Sequence, residues 1–91
     1  MERKEMIQEL ARSKKGARYN ALKDYLETLG DEDVKNIHRE NSIEVYTKEE
    51  YLDLIKASCT VMGELDVESY EESVAEMDNY KHKGLYILRS L

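Results

Sequence analysis

Apolar residues recur along this chain with a helical period, and the period is interrupted at only a few places. Met6, Ile7, Leu10 and Ala11 fall on one face of residues 2–14, with Gly16 placed to end the helix. Residues 17–29 repeat the pattern. Ala21, Leu22, Tyr25, Leu26 and Leu29 form a stripe, while Asn20, Lys23, Asp24 and Glu27 lie opposite it. Gly30 suits a stop because it adopts the left-handed conformation without steric cost. Residues 31–41 predict a third, shorter helix, with Asp31 as N-cap and Val34, Ile37 and His38 as its apolar edge.

At residues 42–47 the period changes to two. Ile43 and Val45 alternate with Ser42, Glu44 and Tyr46, which predicts a short strand. The next four residues, TKEE, make a capping box: the Thr47 hydroxyl accepts from the Glu50 amide, and the Glu50 carboxylate reaches back. Beyond it, Tyr51, Leu52, Leu54, Ile55, Cys59, Val61, Met62 and Leu65 occupy one half of a helical wheel. Glu49, Asp53, Lys56, Thr60 and Glu64 occupy the other, so the pattern predicts a helix over 48–65 packed on a core. Gly63 and Asp66 mark a break. Asp66 is placed to cap a further helix over 67–80, which has the narrower stripe Val67, Tyr70, Val74 and Met77 and ends by Gly84. The segment LYILRSL sets Leu85, Ile87 and Arg89 against Tyr86 and Leu88. Its composition and the preceding glycine favour a strand near 85–90 pairing with 42–47, with an apolar helical tail as the alternative.

The expected architecture is therefore α+β and mostly helical: four to five short helices with a small two-stranded sheet, in a single domain of residues 1–91. Two strands alone are marginal and need helices over one face. Their open edges are available to another protein or to a second copy, so a homodimer is among the expected assemblies.

Composition removes several classes of function. The apolar share of 41 % supports one modest core rather than a disordered chain. Cys59 is the only cysteine, so no intramolecular disulfide forms. It lies on the apolar stripe and reads as a core residue. His38 and His82 are far apart and lack metal-ligand spacing, and no Gly-rich phosphate loop occurs. Residues 31–41 carry alternate acids without the glycine and terminal glutamate of a calcium loop. No metal, cofactor or catalytic residue is expected, and the chain is not expected to be an enzyme. The charged start MERKEMIQEL is unlike a signal peptide, and no apolar run approaches the ~18 residues of a membrane span. A cytoplasmic protein without a membrane partner is the expectation.

Charge changes the picture most. Residues 1–23 carry a net +4, residues 24–78 a net -13 and residues 79–91 a net +3, within a total of -6. The stretch DVESYEESVAEMDNY, residues 66–80, holds six acids and no base. On a helix, Glu68, Glu71, Glu72, Glu76 and Asp78 share a broad arc away from the apolar stripe. Such a run most often forms solvated surface. It also suits contact with a basic protein, or imitation of nucleic-acid phosphates, with Tyr70 and Tyr80 beside it. The opposite feature is RSKKGAR, where Arg12, Lys14, Lys15 and Arg18 are candidate phosphate contacts. The same side chains suit a helix C-terminus or an internal partner for the acidic helix. The acidic remainder makes direct nucleic-acid binding the lesser expectation. Residues 2–29 carry only a weak match to a helix-turn-helix.

Residues 46–55, YTKEEYLDLI, resemble a helix-start segment of the small acidic immunity proteins that neutralise bacterial DNase toxins. The resemblance covers about a tenth of the chain and rests on the capping box and an amphipathic start. That family's paired-tyrosine segment, with its Asp-Ser-Asp lead-in, has no counterpart here, so neither its fold nor its site residues carry over. The resemblance illustrates that small, acidic, helical inhibitors exist as a class. The expected function is a small acidic interaction protein that binds and inhibits a basic, nucleic-acid-handling protein, of phage or mobile-element type. The alternatives are a nucleic-acid-binding regulator using the basic N-terminal helices, or a self-associating structural subunit.

Overall fold

A computed structural model of the chain describes residues 1–89. The elements run α1 (Arg3–Ala11), α2 (Ala17–Glu27), α3 (Asp31–Glu40), β1 (Ile43–Tyr46), α4 (Lys48–Ser58), β2 (Thr60–Val61), β3 (Glu64–Leu65) and α5 (Val67–Glu76). A 3₁₀ turn (Met77–Tyr80), β4 (Lys81–His82) and β5 (Leu85–Arg89) follow. The fold is α+β and mostly helical, as the periodicity predicts. One sheet has the strand order β1-β5-β4, and β2 and β3 form a second. Residue 90, included in the expected final strand, lies outside the described residues.

The chain forms two compact units: Met1–Val45 with the chain from Ile87 onward, and Tyr46–Tyr86. In the first unit α1 packs on both α2 and α3. The stripes read from the sequence meet there, burying Ile7, Leu10, Leu22, Leu26, Val34 and Ile37. β1 alternates as expected, with Ile43 and Val45 buried and Glu44 exposed. Two helix ends differ from expectation. α1 stops at Ala11, and Gly16, at φ +60°, stands before α2 as its N-cap rather than closing α1. Asp31 is the first residue of α3, and Gly30 takes the N-cap place. The Asp31 carboxylate instead accepts from Arg3 at 2.9 Å. The same guanidinium donates to the Glu27 carbonyl at 2.9 Å, satisfying a group that the end of α2 leaves open. Asn41, at φ +50°, ends α3, a position where asparagine tolerates the left-handed region.

In the second unit the Thr47–Glu50 capping box forms as the sequence predicts, with the two bonds at 3.2 and 2.9 Å. The helix it starts is shorter than expected. α4 ends at Ser58 instead of residue 65, and residues 60–65 fold into a β-hairpin pairing Thr60 with Leu65 and Val61 with Glu64. Three local causes act together. Thr60 and Val61 are β-branched and resist helical rotamers. The Ser58 and Thr60 hydroxyls donate to the Leu54 and Lys56 carbonyls at 3.0 and 2.7 Å, occupying acceptors of the last turns. Met62 (φ +53°) and Gly63 (φ +83°) then form the two-residue left-handed turn that joins twisted antiparallel strands. Lys83 and Gly84 repeat this geometry between β4 and β5, which pair Lys81 with Tyr86 and His82 with Leu85. The sheet therefore has a third strand that periodicity did not reveal.

The core of the second unit is small: Tyr51, Ile55, Cys59, Met77 and Tyr86 are buried. The outer part of the expected stripe is not in it. Leu54 is 43 % exposed, Val61 61 %, Met62 98 % and Leu65 37 %. Val67, placed on the next helix's stripe, is 57 % exposed.

Candidate protein interface

The unit boundaries partition the charge. The first unit carries ten bases and ten acids, and the second carries four bases and ten acids. The whole net charge of -6 thus belongs to residues 46–86. Within them, residues 57–80 contain seven acids and no Lys, Arg or His.

Local chemistry sets the position of these acids. Asp66 caps α5, accepting from the Ser69 amide at 3.2 Å and the Ser69 hydroxyl at 3.0 Å. From that start, Tyr70 and Val74 become half-buried and Met77 buried, which is the stripe expected apart from Val67. Glu68, Glu71, Glu72 and Glu76 lie on the exposed side of α5, and Asp78 is exposed on the 3₁₀ turn. The α-helix ends at Glu76, so Asp78 leaves the helical arc on which the sequence placed it. The four glutamates span roughly 12 Å of helix axis, about one charge per 4 Å.

Beside this acidic run is an aromatic cluster. The Tyr51 ring lies 6.3 Å from Tyr46 in an edge-on arrangement, 6.4 Å from Tyr80 in a stack, and 5.5 Å from Tyr86 with a tilt. Tyr51 and Tyr86 are buried, whereas Tyr80 keeps 42 % of its surface exposed. Burial holds the Tyr51 phenol above its ordinary pKa of 10.0, and the neighbouring Tyr80 phenol and Glu76 carboxylate push in the same direction. Tyr80 is therefore an exposed aromatic braced from beneath by a buried one. Tyr70, the other tyrosine singled out in the sequence, belongs to the packed stripe of α5.

Two of the four basic candidates are engaged by the first unit's own bonds. Lys14 pairs with Glu44 of β1 at 2.9 Å, and Arg18 donates to the Val45 carbonyl at 3.2 Å. Arg12 and Lys15 are exposed. Arg12 lines a shallow concavity of about 270 Å³ with Glu5, Gln8 and Glu9, so acids share its surroundings. Lys14 thus has an internal partner, but that partner is Glu44 of β1 and not the acidic helix that the sequence suggested.

Cys59 is buried as a free thiol. Among the described residues, no group of three or more His, Cys, Asp or Glu side chains is arranged to hold a metal ion. No helix among them is long and apolar enough to cross a membrane. The sequence reading missed Tyr46, Tyr51 and Tyr86 as one cluster, and it missed the exposure of Val61, Met62 and Leu65. The available signal for the hairpin was Met62–Gly63 between β-branched residues and an acid, a short match hidden by the helical wheel. No family model matches the chain, and no curated protein or solved structure is similar enough to lend it an activity or a partner.

Proposed function

We propose that this chain is a small acidic interaction protein whose second unit binds and inhibits a basic, nucleic-acid-handling protein. The observation that carries this reading is the charge partition: all the net charge lies in one unit, and its helix α5 turns four glutamates outward. Their axial density, about one charge per 4 Å, is near the ~3.4 Å per charge of one nucleic-acid strand. A protein surface built to grip phosphates is attracted to such a row, and occupying that surface excludes the nucleic acid. Tyr80, held by stacking on Tyr51, supplies an aromatic face on which an Arg or Lys side chain can rest. Inhibition by charge imitation suits a phage or mobile-element product, which gains by blocking a host or rival enzyme without chemistry of its own.

The test compares the parent with a variant in which Glu68, Glu71, Glu72 and Glu76 are all changed to Gln. The parent should retain a basic, nucleic-acid-handling protein from a cell extract, release it as salt is raised, and block its binding to DNA or RNA. The variant should do none of these while keeping its fold. Equal capture by both would refute the reading. Salt-sensitive retention of the parent on heparin through Arg12 and Lys15 would instead favour a nucleic-acid-binding regulator.

A further inference from the structure

Residues 60–68 are exposed without interruption, and they include the whole β2–β3 hairpin. Such a hairpin has little to hold it. Its strands are two residues each, and an isolated pair of strands is marginal in water. It is anchored at its base by the Asp66 amide donating to the Cys59 carbonyl at 2.8 Å. Its tip breaks two local rules at one residue. Met62 sits at φ +53°, a position in this turn type that favours Asn, Asp or Gly, and its apolar side chain is 98 % exposed. The other hairpin of the unit has the same turn geometry but carries the charged Lys83 at the equivalent place. Val61, at 61 % exposure, precedes Met62 and pairs with Glu64 across the turn. A departure from both turn chemistry and solubility, with no compensating burial, marks a residue kept for another purpose.

The surroundings indicate what would cover this tip. Glu64, Asp66 and Glu68 are the charged side chains of residues 60–68, and the nearest bases in sequence are Lys56 and Lys81. An apolar knob on a segment whose own charges are all carboxylates is complementary to an apolar pocket rimmed by Lys and Arg. It is poorly matched to a second copy of itself, whose residues 60–68 would bring the same three carboxylates. Interfaces take most of their affinity from a few apolar or aromatic anchors that fill pockets, while charges steer and orient. The acidic face of α5 supplies attraction and orientation that salt screens.

We infer that the Val61–Met62 tip of the β2–β3 hairpin is the apolar anchor of the interface, inserting into an apolar pocket with a basic rim on the partner protein. The inference rests on the proposed function, since it takes the partner to be basic, and it adds what that reading lacks: a source of affinity that salt does not screen.

Met62→Asn separates anchor from scaffold. Asn is favoured in the left-handed turn position, so the variant should melt at the parent's temperature or above it. Two synthetic helical peptides serve as probes: one of leucines and lysines with a single leucine face, and one of equal charge with the leucines replaced by glutamine. The parent should bind the leucine–lysine peptide, and Met62→Asn should bind it roughly tenfold more weakly or worse, the loss expected when a methionine is no longer buried. Val61→Thr, which keeps the β-branch, should weaken it in the same direction. Both variants should bind the glutamine–lysine peptide as the parent does. If Met62→Asn and the parent bind the leucine–lysine peptide equally, the anchor is wrong and the acidic-face reading stands. If the parent binds neither peptide, the acidic-face reading fails and the anchor fails with it. Sedimentation of the parent as a dimer and of Met62→Asn as a monomer would assign the tip to a second copy and overturn the partner proposed here.

Discussion

The rings of Tyr51 and Tyr80 stack with their centroids 6.4 Å apart and their planes 27° from parallel. Tyr51 is on α4 and buried, while Tyr80 closes the 3₁₀ turn after α5 and remains 42 % exposed. The stack therefore ties the end of the acidic segment to the aromatic core of its unit. An aromatic side chain fixed before binding loses little conformational freedom on contact. Packing in this unit thus also fixes an exposed aromatic ring of the proposed interface.

The two rings should respond differently to truncation. Tyr51→Ala removes the centre of a cluster that includes Tyr46, Tyr80 and Tyr86, and it should destabilise the fold by about 3–5 kcal/mol, as large aromatic deletions in cores do. Tyr80→Ala removes a half-exposed ring and should cost only about 1 kcal/mol, mostly the stacking contribution. Urea denaturation of the two variants checks the order. Equal losses would show that Tyr51 is not the centre of the cluster.

Alkali should weaken the fold through Tyr51. Its folded-state pKa is raised above 10.0, chiefly by burial. The folded chain therefore holds a proton at a pH where the unfolded chain has begun to release it. The resulting stability is fully present below pH 10.0 and is lost as pH rises through the folded-state value. Melting temperatures followed through this range should fall less steeply in Tyr51→Phe, which cannot ionise. Identical slopes in parent and variant would assign the loss to other groups.

Much of this fold was legible where one signal dominated. The Thr47–Glu50 box fixed the start of α4, and the stripes through Leu22, Leu26, Val34 and Ile37 identified the first unit's core, because long periodic segments leave few alternatives. The reading failed at residues 59–65, where apolar residues continued the helical wheel although their local chemistry opposed it. A wheel scores direction around an axis and is blind to the left-handed turn at Met62–Gly63 and to β-branching at Thr60 and Val61. The acids of the candidate interface were legible as composition, since exposed charge needs no tertiary information. The tyrosine cluster was not, because Tyr46, Tyr51, Tyr80 and Tyr86 come from different elements and meet only in the folded unit.

Arg3 should contribute to the first unit out of proportion to its place near the N-terminus. It spans the Asp31 carboxylate and the Glu27 carbonyl, both at 2.9 Å, and so joins α1 to the end of α2 and the start of α3. Arg3→Ala should destabilise by about 1–2 kcal/mol, because it leaves a helix-terminal carbonyl without its donor. Arg3→Lys should recover only part, since an ammonium lacks the planar fork that serves two acceptors. Thermal melts of the three proteins check this. Full recovery by Lys would reduce the role of Arg3 to its charge.

The acidic helix should be held against its own charge, and salt should reveal this. Glu68 and Glu72, and Glu72 and Glu76, stand four residues apart on α5, with Glu68 and Glu71 three apart. Each like-charge pair at these spacings costs about 0.2–0.5 kcal/mol. Glu68, in the first turn, regains part of this from the helix dipole, whereas Glu76 is at the opposite end. Changing Glu68, Glu71, Glu72 and Glu76 to Gln should therefore raise stability by up to about 1 kcal/mol, since Gln is nearly as good a helix former. Added salt should stabilise the parent by screening the repulsion and should have a smaller effect on the variant. Chemical denaturation with urea, which leaves ionic strength unchanged, is suited to the comparison at low and high sodium chloride. A variant less stable than the parent would mean that these carboxylates are paired within the fold, and the acidic face would then be structure rather than a surface held ready for a partner.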